Sequence, residues 1–133
     1  MLGWVGDIEE ATLANDTFRT VLFTGEHMQL TVMRLAPGEE IGREVHPHLD
    51  QFIRVESGTA RVELGAGQDA IDEEHELQAD WAVIVPAGVW HNVINAGSEA
   101  LALYSLYTPP EHPADTVHAT KADADAAEHD HHT

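Results

Sequence analysis

Apolar positions along the chain fall in short runs, not at the spacing of a helix face. From Phe18 onward, stretches rich in Val, Ile, Leu and Thr are broken by turn residues every eight to twelve positions or so, the rhythm of a β-sandwich or barrel. The pattern predicts strands over 18–24, 28–35, 52–57, 60–64, 81–85, 90–95 and 100–107. Pro37 and Gly38, Ser57 and Gly58, Gly65 and Gly67, Ala87 and Gly88, and Ala96 and Gly97 separate them and supply turn backbone. The expectation is an all-β barrel over residues 18–108, with little helix before the tail. Residues 1–17, containing GDIEEAT, read as an N-terminal arm, either extended or an early edge strand. Residues 109–133 change character: five of the ten histidines and three prolines stand among Ala and Asp. They read as an acidic, His-rich tail, helical or disordered, with a short helix over 120–128 capped by Thr120. Its His-rich end reads as solvated, frayed and weakly metal-scavenging.

Alternation assigns faces. In QFIRVE, Gln51 shares its parity with Ile53 and Val55, and in WHNV, His91 shares its parity with Val93. Gln51 and His91 therefore point with the apolar set, where an unpaired polar group costs about 1–3 kcal/mol. A shared metal ion would satisfy both.

Composition bounds the possible partners. At 133 residues one domain is expected, burying about two-thirds of its unfolded surface. Six Lys plus Arg against 24 Asp plus Glu give a formal charge of −18, while 43% hydrophobic residues speak against wholesale disorder. So acidic a chain is a poor partner for nucleic acid or an anionic membrane surface. The longest apolar stretch, Trp81 to Trp90, is broken by Pro86 and falls short of the roughly 20 residues a spanning helix needs. The N-terminus lacks the basic start and apolar run of a secretory signal, so a cytoplasmic location is expected. The absence of cysteine confines any metal to N and O ligands.

Two segments carry chemistry. Residues 37–58 place Glu44, His46, His48, Asp50 and Gln51 within eight positions, all able to bind a divalent ion, and residues 86–95 contribute His91. At these residues the chain resembles a small single-domain cupin, a double-sheet jelly roll. Pro86, Gly88, His91 and Asn95 match the family's second motif, GxxxxxPxGxxHxxxN, with Asp80 in place of its leading glycine. The first motif, GxxxxxHxHxxx(x)ExxxxxxG, fits when Gly38 leads, Glu44 and His46 take the paired positions, Gln51 takes the acidic position and Gly58 closes. Pairing His46 with His48 instead would put Phe52 or Ile53 where a ligand is required.

The resemblance thus implies a metal set of Glu44, His46, Gln51 and His91, with His48 in the following turn, although His48 in place of Glu44 stays open. Two departures stand out: Glu replaces the first His of the pattern, and Gln replaces its Glu. The resulting N2O2 sphere suits Fe, Mn, Ni or Zn. In the competing reading Glu44 is a solvated rim residue, Gln51 a bonded core amide and His91 a satisfied core histidine.

The implied function is that of a metalloenzyme on a small oxygenated metabolite, of isomerase, lyase or dioxygenase type, with its pocket lined by residues such as Ile53, Val55, Val83, Val85 and Val93. The alternative is a non-catalytic module that binds or senses a metal or small molecule. An enzyme wants a second ionisable group inside, for which His48 and Tyr104 are the candidates. Phosphate substrates are disfavoured by the scarcity of cations. The family habit implies a homodimer, with segments such as FRTVLFT as candidate contacts. Trp81 and Trp90 are expected to pack a core or interface.

The charge predicts that salt stabilises the fold by screening repulsion among carboxylates. The melting temperature should rise between low and molar NaCl; a flat or falling trend would contradict this.

Overall fold

In the computed structural model, residues 2–132 are described, with side chains through Ala127. The elements in chain order are helix α1 (Ile8–Ala14), strands β1 (Arg19–Thr24), β2 (Gln29–Leu35), β3 (Asp50–Ser57), β4 (Ala60–Gly67), β5 (Ala70–Leu77), β6 (Ala82–Val85), β7 (Trp90–Asn95), β8 (Leu101–Thr108) and β9 (Val117–His118), and helix α2 (Lys121–His132). They form two sheets, of order β6-β3-β8-β2-β1-β9 and β5-β4-β7. Pairing throughout is antiparallel.

The burial of each strand follows its sequence. In β3 the residues Gln51, Ile53 and Val55 are buried and the alternate positions less so, the sign of a strand with one face on the core. In β2 and β8 burial is nearly continuous, so both faces must be covered. The inner face joins Met33, Leu35, Ile53, Val55, Val62, Val93, Leu101 and Leu103 in one core. On the outer face Leu30, Val32 and Tyr104 are packed by Trp4, Ile8, Leu22, Phe52 and Leu106.

That outer cover corrects the reading of the N-terminal arm, which contains helix α1 instead of an extended segment or edge strand. Asp7 caps it, accepting from Glu10 N at 3.0 Å, with Glu9 and Glu10 in the first turn. Strand β5 is not among the strands the pattern predicts, because AIDEEHEL has neither alternation nor β-branched density. Its register comes from β4 across the hairpin, and its exposed acids blunt a sheet edge. Trp81, expected in a core or interface, is 55% exposed.

The C-terminal segment also returns to the body. His118 and Val117 pair with Arg19 and Thr20 of β1, and Ala119 O accepts from Phe18 N at 3.1 Å. Thr120 caps α2 reciprocally: its Oγ1 accepts from Asp123 N, and Asp123 Oδ2 accepts from Thr120 N. Ala124 is buried within the core cluster, so the first turns of α2 are docked. The reading of a metal-scavenging His-rich end falls on His129, His131 and His132, whose side chains lie outside the described residues. Because β9 covers Arg19 and Thr20, the start of the FRTVLFT stretch is not a free edge.

Turn backbone is specific where the chain crosses between layers. Gly58 has φ +93°, and a Cβ there would stand 2.8 Å from Ala100 O. Asp80, at the position of the motif's leading glycine, has φ +75° and pairs through Oδ1 with Arg54 Nη2 at 3.1 Å. Asp is among the few side chains that tolerate that region.

Gly58→Ala combines left-handed strain with a backbone clash and should lower unfolding stability by about 2 kcal/mol or more, whereas Gly38→Ala, at φ +84° with open space around it, should lose only about 1 kcal/mol. Urea unfolding of the two variants checks the ordering.

Candidate metal centre

The centre is assembled by backbone pairing. After β2 the chain runs alongside β7, forming bridges Glu40↔Ile94 and Glu44↔His91. Glu44 N donates to His91 O and His91 N donates to Glu44 O, both at 2.9 Å. Residues that exchange both bonds in an antiparallel pair project side chains to one face. His46, two residues beyond Glu44, projects the same way by the period of an extended chain. Its carbonyl accepts from Gly88 N at 2.9 Å, and Asp50 Oδ1 accepts from Ala87 N at 2.9 Å, so the Pro86–Gly88 turn is tied to the ligand-bearing segment twice. Gly88, at φ +83°, supplies the conformation that turn needs.

Glu44, His46 and His91 each offer one ligand atom, and these atoms lie within 4.8 Å of one another. Glu44 Oε1 is 3.4 Å from Nε2 of His46 and 3.4 Å from Nε2 of His91. The imidazole centroids are 5.4 Å apart. Burial by itself would raise the Glu44 carboxyl, but hydrogen bonding and charge from His46 and His91 outweigh it and hold the group far below the usual carboxylate range.

His91 is 2% exposed, and its Nδ1 donates to Val89 O at 3.1 Å. With Nδ1 so engaged, Nε2 is buried and faces Glu44 Oε1 at 3.4 Å, a contact longer than a well-formed hydrogen bond. Gln51, also 2% exposed, sits on β3 between Val85 of β6 and Tyr107 of β8. Its Nε2 donates to Ser105 Oγ at 3.4 Å, while Oε1 is buried without a partner. An imidazole lone pair, an amide oxygen, a carboxylate held ionised and a second imidazole are the donor types a hard or borderline divalent ion takes, so the residues present fit such an ion.

The structure brings Glu44, His46 and His91 into one cluster and buries Gln51 on β3 of the other sheet. His48 is exposed in the turn, and Asp50 serves the turn hydrogen bond. Tyr104 lies in the outer-face cluster, away from the barrel interior, so neither candidate for a second interior ionisable group occupies that place.

Other groups approach instead. Glu111 Oε2 is 3.5 Å from His46 Nδ1. The Tyr107 ring stands edge-on to His46 at 6.0 Å and to His112 at 5.2 Å. Burial pushes the Tyr107 hydroxyl up to about 12, and burial together with the charge of Arg19 pushes His112 down to about 3. Glu111 and His112 lie in the PPEHP segment, which the sequence pattern assigns to the tail. The available signal was a Glu-His pair stiffened by prolines directly after the last barrel strand.

Fold and site together define a cupin with a possible His/Glu metal site, and residues 31–107 match the cupin domain family model, Cupin_2. The chain belongs to that family. It is 53% identical over 125 residues to the uncharacterized protein YrkC of Bacillus subtilis, a match spanning 94% of this chain and 67% of YrkC. It is 40% identical over 111 residues to the uncharacterized protein L612 of Acanthamoeba polyphaga mimivirus, covering 83% of this chain and 68% of that one. The crystal structure of BH2720 from Bacillus halodurans superposes with a TM-score of 0.91 at 51% identity, covering 92% of this chain and 93% of that one. Among the described residues, no helix is long and apolar enough to cross a membrane.

The folded state holds His112 neutral down to about pH 3, whereas an unfolded chain protonates histidine near pH 6.5. Between those values the unfolded state binds more protons, so stability should fall as pH drops through this window. His112→Asn should lose less stability than the unsubstituted chain between pH 7.5 and pH 5, as measured by urea unfolding at fixed salt; equal losses would contradict the assignment.

Proposed function

We propose that this cupin is a metal-dependent enzyme acting on a small oxygenated metabolite, with Glu44, His46, Gln51 and His91 as the residues that hold the ion. The observation that carries the reading is the convergence of Nε2 of His46 and of buried His91 on an ionised Glu44, each 3.4 Å from its Oε1, with the unpartnered Oε1 of Gln51 buried in the same interior. The unpartnered Gln51 oxygen in an apolar barrel is a standing penalty that a cation shared with the Glu44 cluster removes.

A divalent ion bound there supplies electrophilic polarisation of a carbonyl or hydroxyl oxygen. Fe, Mn, Ni or Zn all suit the donor set. Glu44 provides the negative charge that offsets the cation. The Val89 carbonyl holds His91 in the tautomer that presents Nε2. Ile53, Val55, Val85 and Val93 wall the interior with apolar surface, which excludes water and strengthens electrostatic interactions. Tyr107, protonated to about pH 12, can donate a hydrogen bond but not act as a base near neutrality.

The catalytic reading is favoured over a purely binding module because Glu111, 3.5 Å from His46, brings a second ionisable group to the centre. The proposal extends to a homodimer through the free β6 edge, where Ile84 is 65% exposed and Trp81 flanks the strand.

Glu44→Ala, Gln51→Ala and His91→Ala should each lower bound metal, measured by elemental analysis in a full-length background with His129, His131 and His132 replaced by Ala, while His48→Ala should not. Loss confined to the His48 variant would overturn the ligand set. Turnover of a panel of hydroxy and keto acids by the metal-loaded protein supports the enzyme reading, and binding of such acids without turnover supports the module instead.

A further inference from the structure

We infer that Arg19 is the recognition point for a carboxylate of the ligand this barrel takes, which narrows the ligand class from oxygenated metabolites to small organic acids. The inference rests on the metal-centre reading for the other end of the ligand, and on the surroundings of Arg19 for the anion itself.

Arg19 faces inward. It opposes Met33, a residue of the inner core, and shares its parity with buried Val21. It is 7% exposed. A guanidinium is charged at any pH the fold meets, and it brings five N–H donors and no acceptor. One donor goes to His118 Nδ1 at 3.2 Å, and Nε is buried without a partner. The Phe18 ring, 5.5 Å from the guanidinium carbon, offers a face but no formal charge. Among the described residues Arg43, Arg54 and Lys121 pair with acids, and Arg34 and Arg61 are exposed. Arg19 is buried with no carboxylate partner among them, in a chain that carries 24 acidic residues. A buried charge left uncompensated is strongly unfavourable, and water satisfies its hydrogen bonds without neutralising it.

The neighbours of the guanidinium are polar and under-used. Inward-facing Gln51 on β3, Ser105 and Tyr107 on β8, Thr31 on β2 and Arg19 on β1 run across four adjoining strands, from a proposed metal ligand to the unpaired cation. Thr31 Oγ1 and His112 Nε2 are both buried without a partner. Gln29, 0% exposed, fixes the segment that carries His112: its Oε1 accepts from Glu111 N at 3.2 Å and His112 N at 2.9 Å, and its Nε2 donates to His112 O at 2.7 Å. The His112 ring is thereby held edge-on to Tyr107 at 5.2 Å and 6.5 Å from the ring of His118. Burial is the chief influence on both Tyr107 and His112, and beyond it the charges of Arg19 and Glu44 act on both with opposite sign. The cation and the metal centre therefore address one interior.

A carboxylate supplies what is missing there. Its two oxygens match the planar fork of the guanidinium, and its single charge neutralises a single cation. Those oxygens also accept from the Thr31 hydroxyl. A phosphate dianion would bring a second charge for which this interior has no second Lys or Arg. An acid held at Arg19 keeps its hydroxyl or keto oxygen free for the ion.

The test uses the full-length chain with His129, His131 and His132 replaced by Ala, in chloride-free buffer. It reads the NMR signal of the Arg19 Nε–H group, assigned with Arg19→Lys. Glycolate titrated into the metal-free protein should shift this signal saturably, while glycolamide, of similar size but uncharged, should leave it in place. Arg19→Met should raise the Kd for glycolate about 10-fold or more, and Arg19→Lys, a point charge without the fork, should raise it less. Without acid, Arg19→Met should melt no lower than its parent, because methionine removes an uncompensated charge. If Arg19→Met does not fold, the Arg19 signal of the parent and the Kd of Arg19→Lys decide. Sulfate or chloride binding as tightly as glycolate would indicate an adventitious ion only and overturn the assignment. A signal that no hydroxy or keto acid of the panel moves would overturn it too. Zn(II) separates this result from the metal reading: it should lower the Kd for glycolate, and in Glu44→Ala that effect should vanish while the Arg19 shift remains. Glycolate binding at Arg19 in a protein that takes up no Zn(II) would uphold the anion site and overturn the metal centre. Zn(II) binding with Arg19 indifferent to every acid would overturn the anion site and leave the metal centre standing.

Discussion

Two backbone hydrogen bonds between Glu44 and His91 organise the interior of this barrel. They join a segment that is otherwise irregular to the edge of the three-stranded sheet, and they set both side chains on the same face. His46 follows from them by parity, and the Pro86–Gly88 turn is tied to the same segment through the His46 carbonyl and Asp50. A one-residue slip of this pairing would send Glu44 and His46 outward together and disperse the cluster. The sheets can therefore be regarded as the frame that holds one register.

The interior and exterior of the protein have opposite electrostatic character. Outside, a net charge of −18 is spread over a solvated coat, with the acids of β5 and the edges among its members. Inside, surroundings fix the charge state of three groups. Burial keeps the Tyr107 hydroxyl protonated and the His112 ring uncharged, while Glu44 stays ionised because two imidazoles face it. The half-buried Glu44 carboxylate beside two imidazoles is chemically distinct from the acids of the coat, and Glu111, its side chain 30% exposed, lies between the two regimes.

Much of this was legible beforehand. The strands other than β5 and β9 announce themselves as runs of branched and aliphatic residues, and the alternation in QFIRVE puts Gln51 inward, as the structure does. Gly38, Gly58 and Gly88 hold positive φ at the motif positions the sequence marks, and Asp80 takes that conformation where the family has glycine. What was not legible had particular physical causes. Helix α1 is only seven residues long, so its apolar stripe has too few turns to register, although Asp7 and Glu10 carry the spacing of a cap. Strand β5 is exposed and acidic, and only the hairpin with β4 makes it a strand.

The sequence by itself determined the all-β class, the barrel's inward parities and the candidate donors Glu44, His46, Gln51 and His91, because each of these depends on local spacing and side-chain chemistry. Only the tertiary structure decided which donors converge, that His48 and Tyr104 lie elsewhere, and that residues 109–127 fold back onto the body. Those outcomes depend on contacts between residues far apart in the chain: Glu44 with His91, Gln29 with Glu111 and His112, and Arg19 with His118. No pattern within a single strand encodes such contacts, since they exist only once the two sheets have closed.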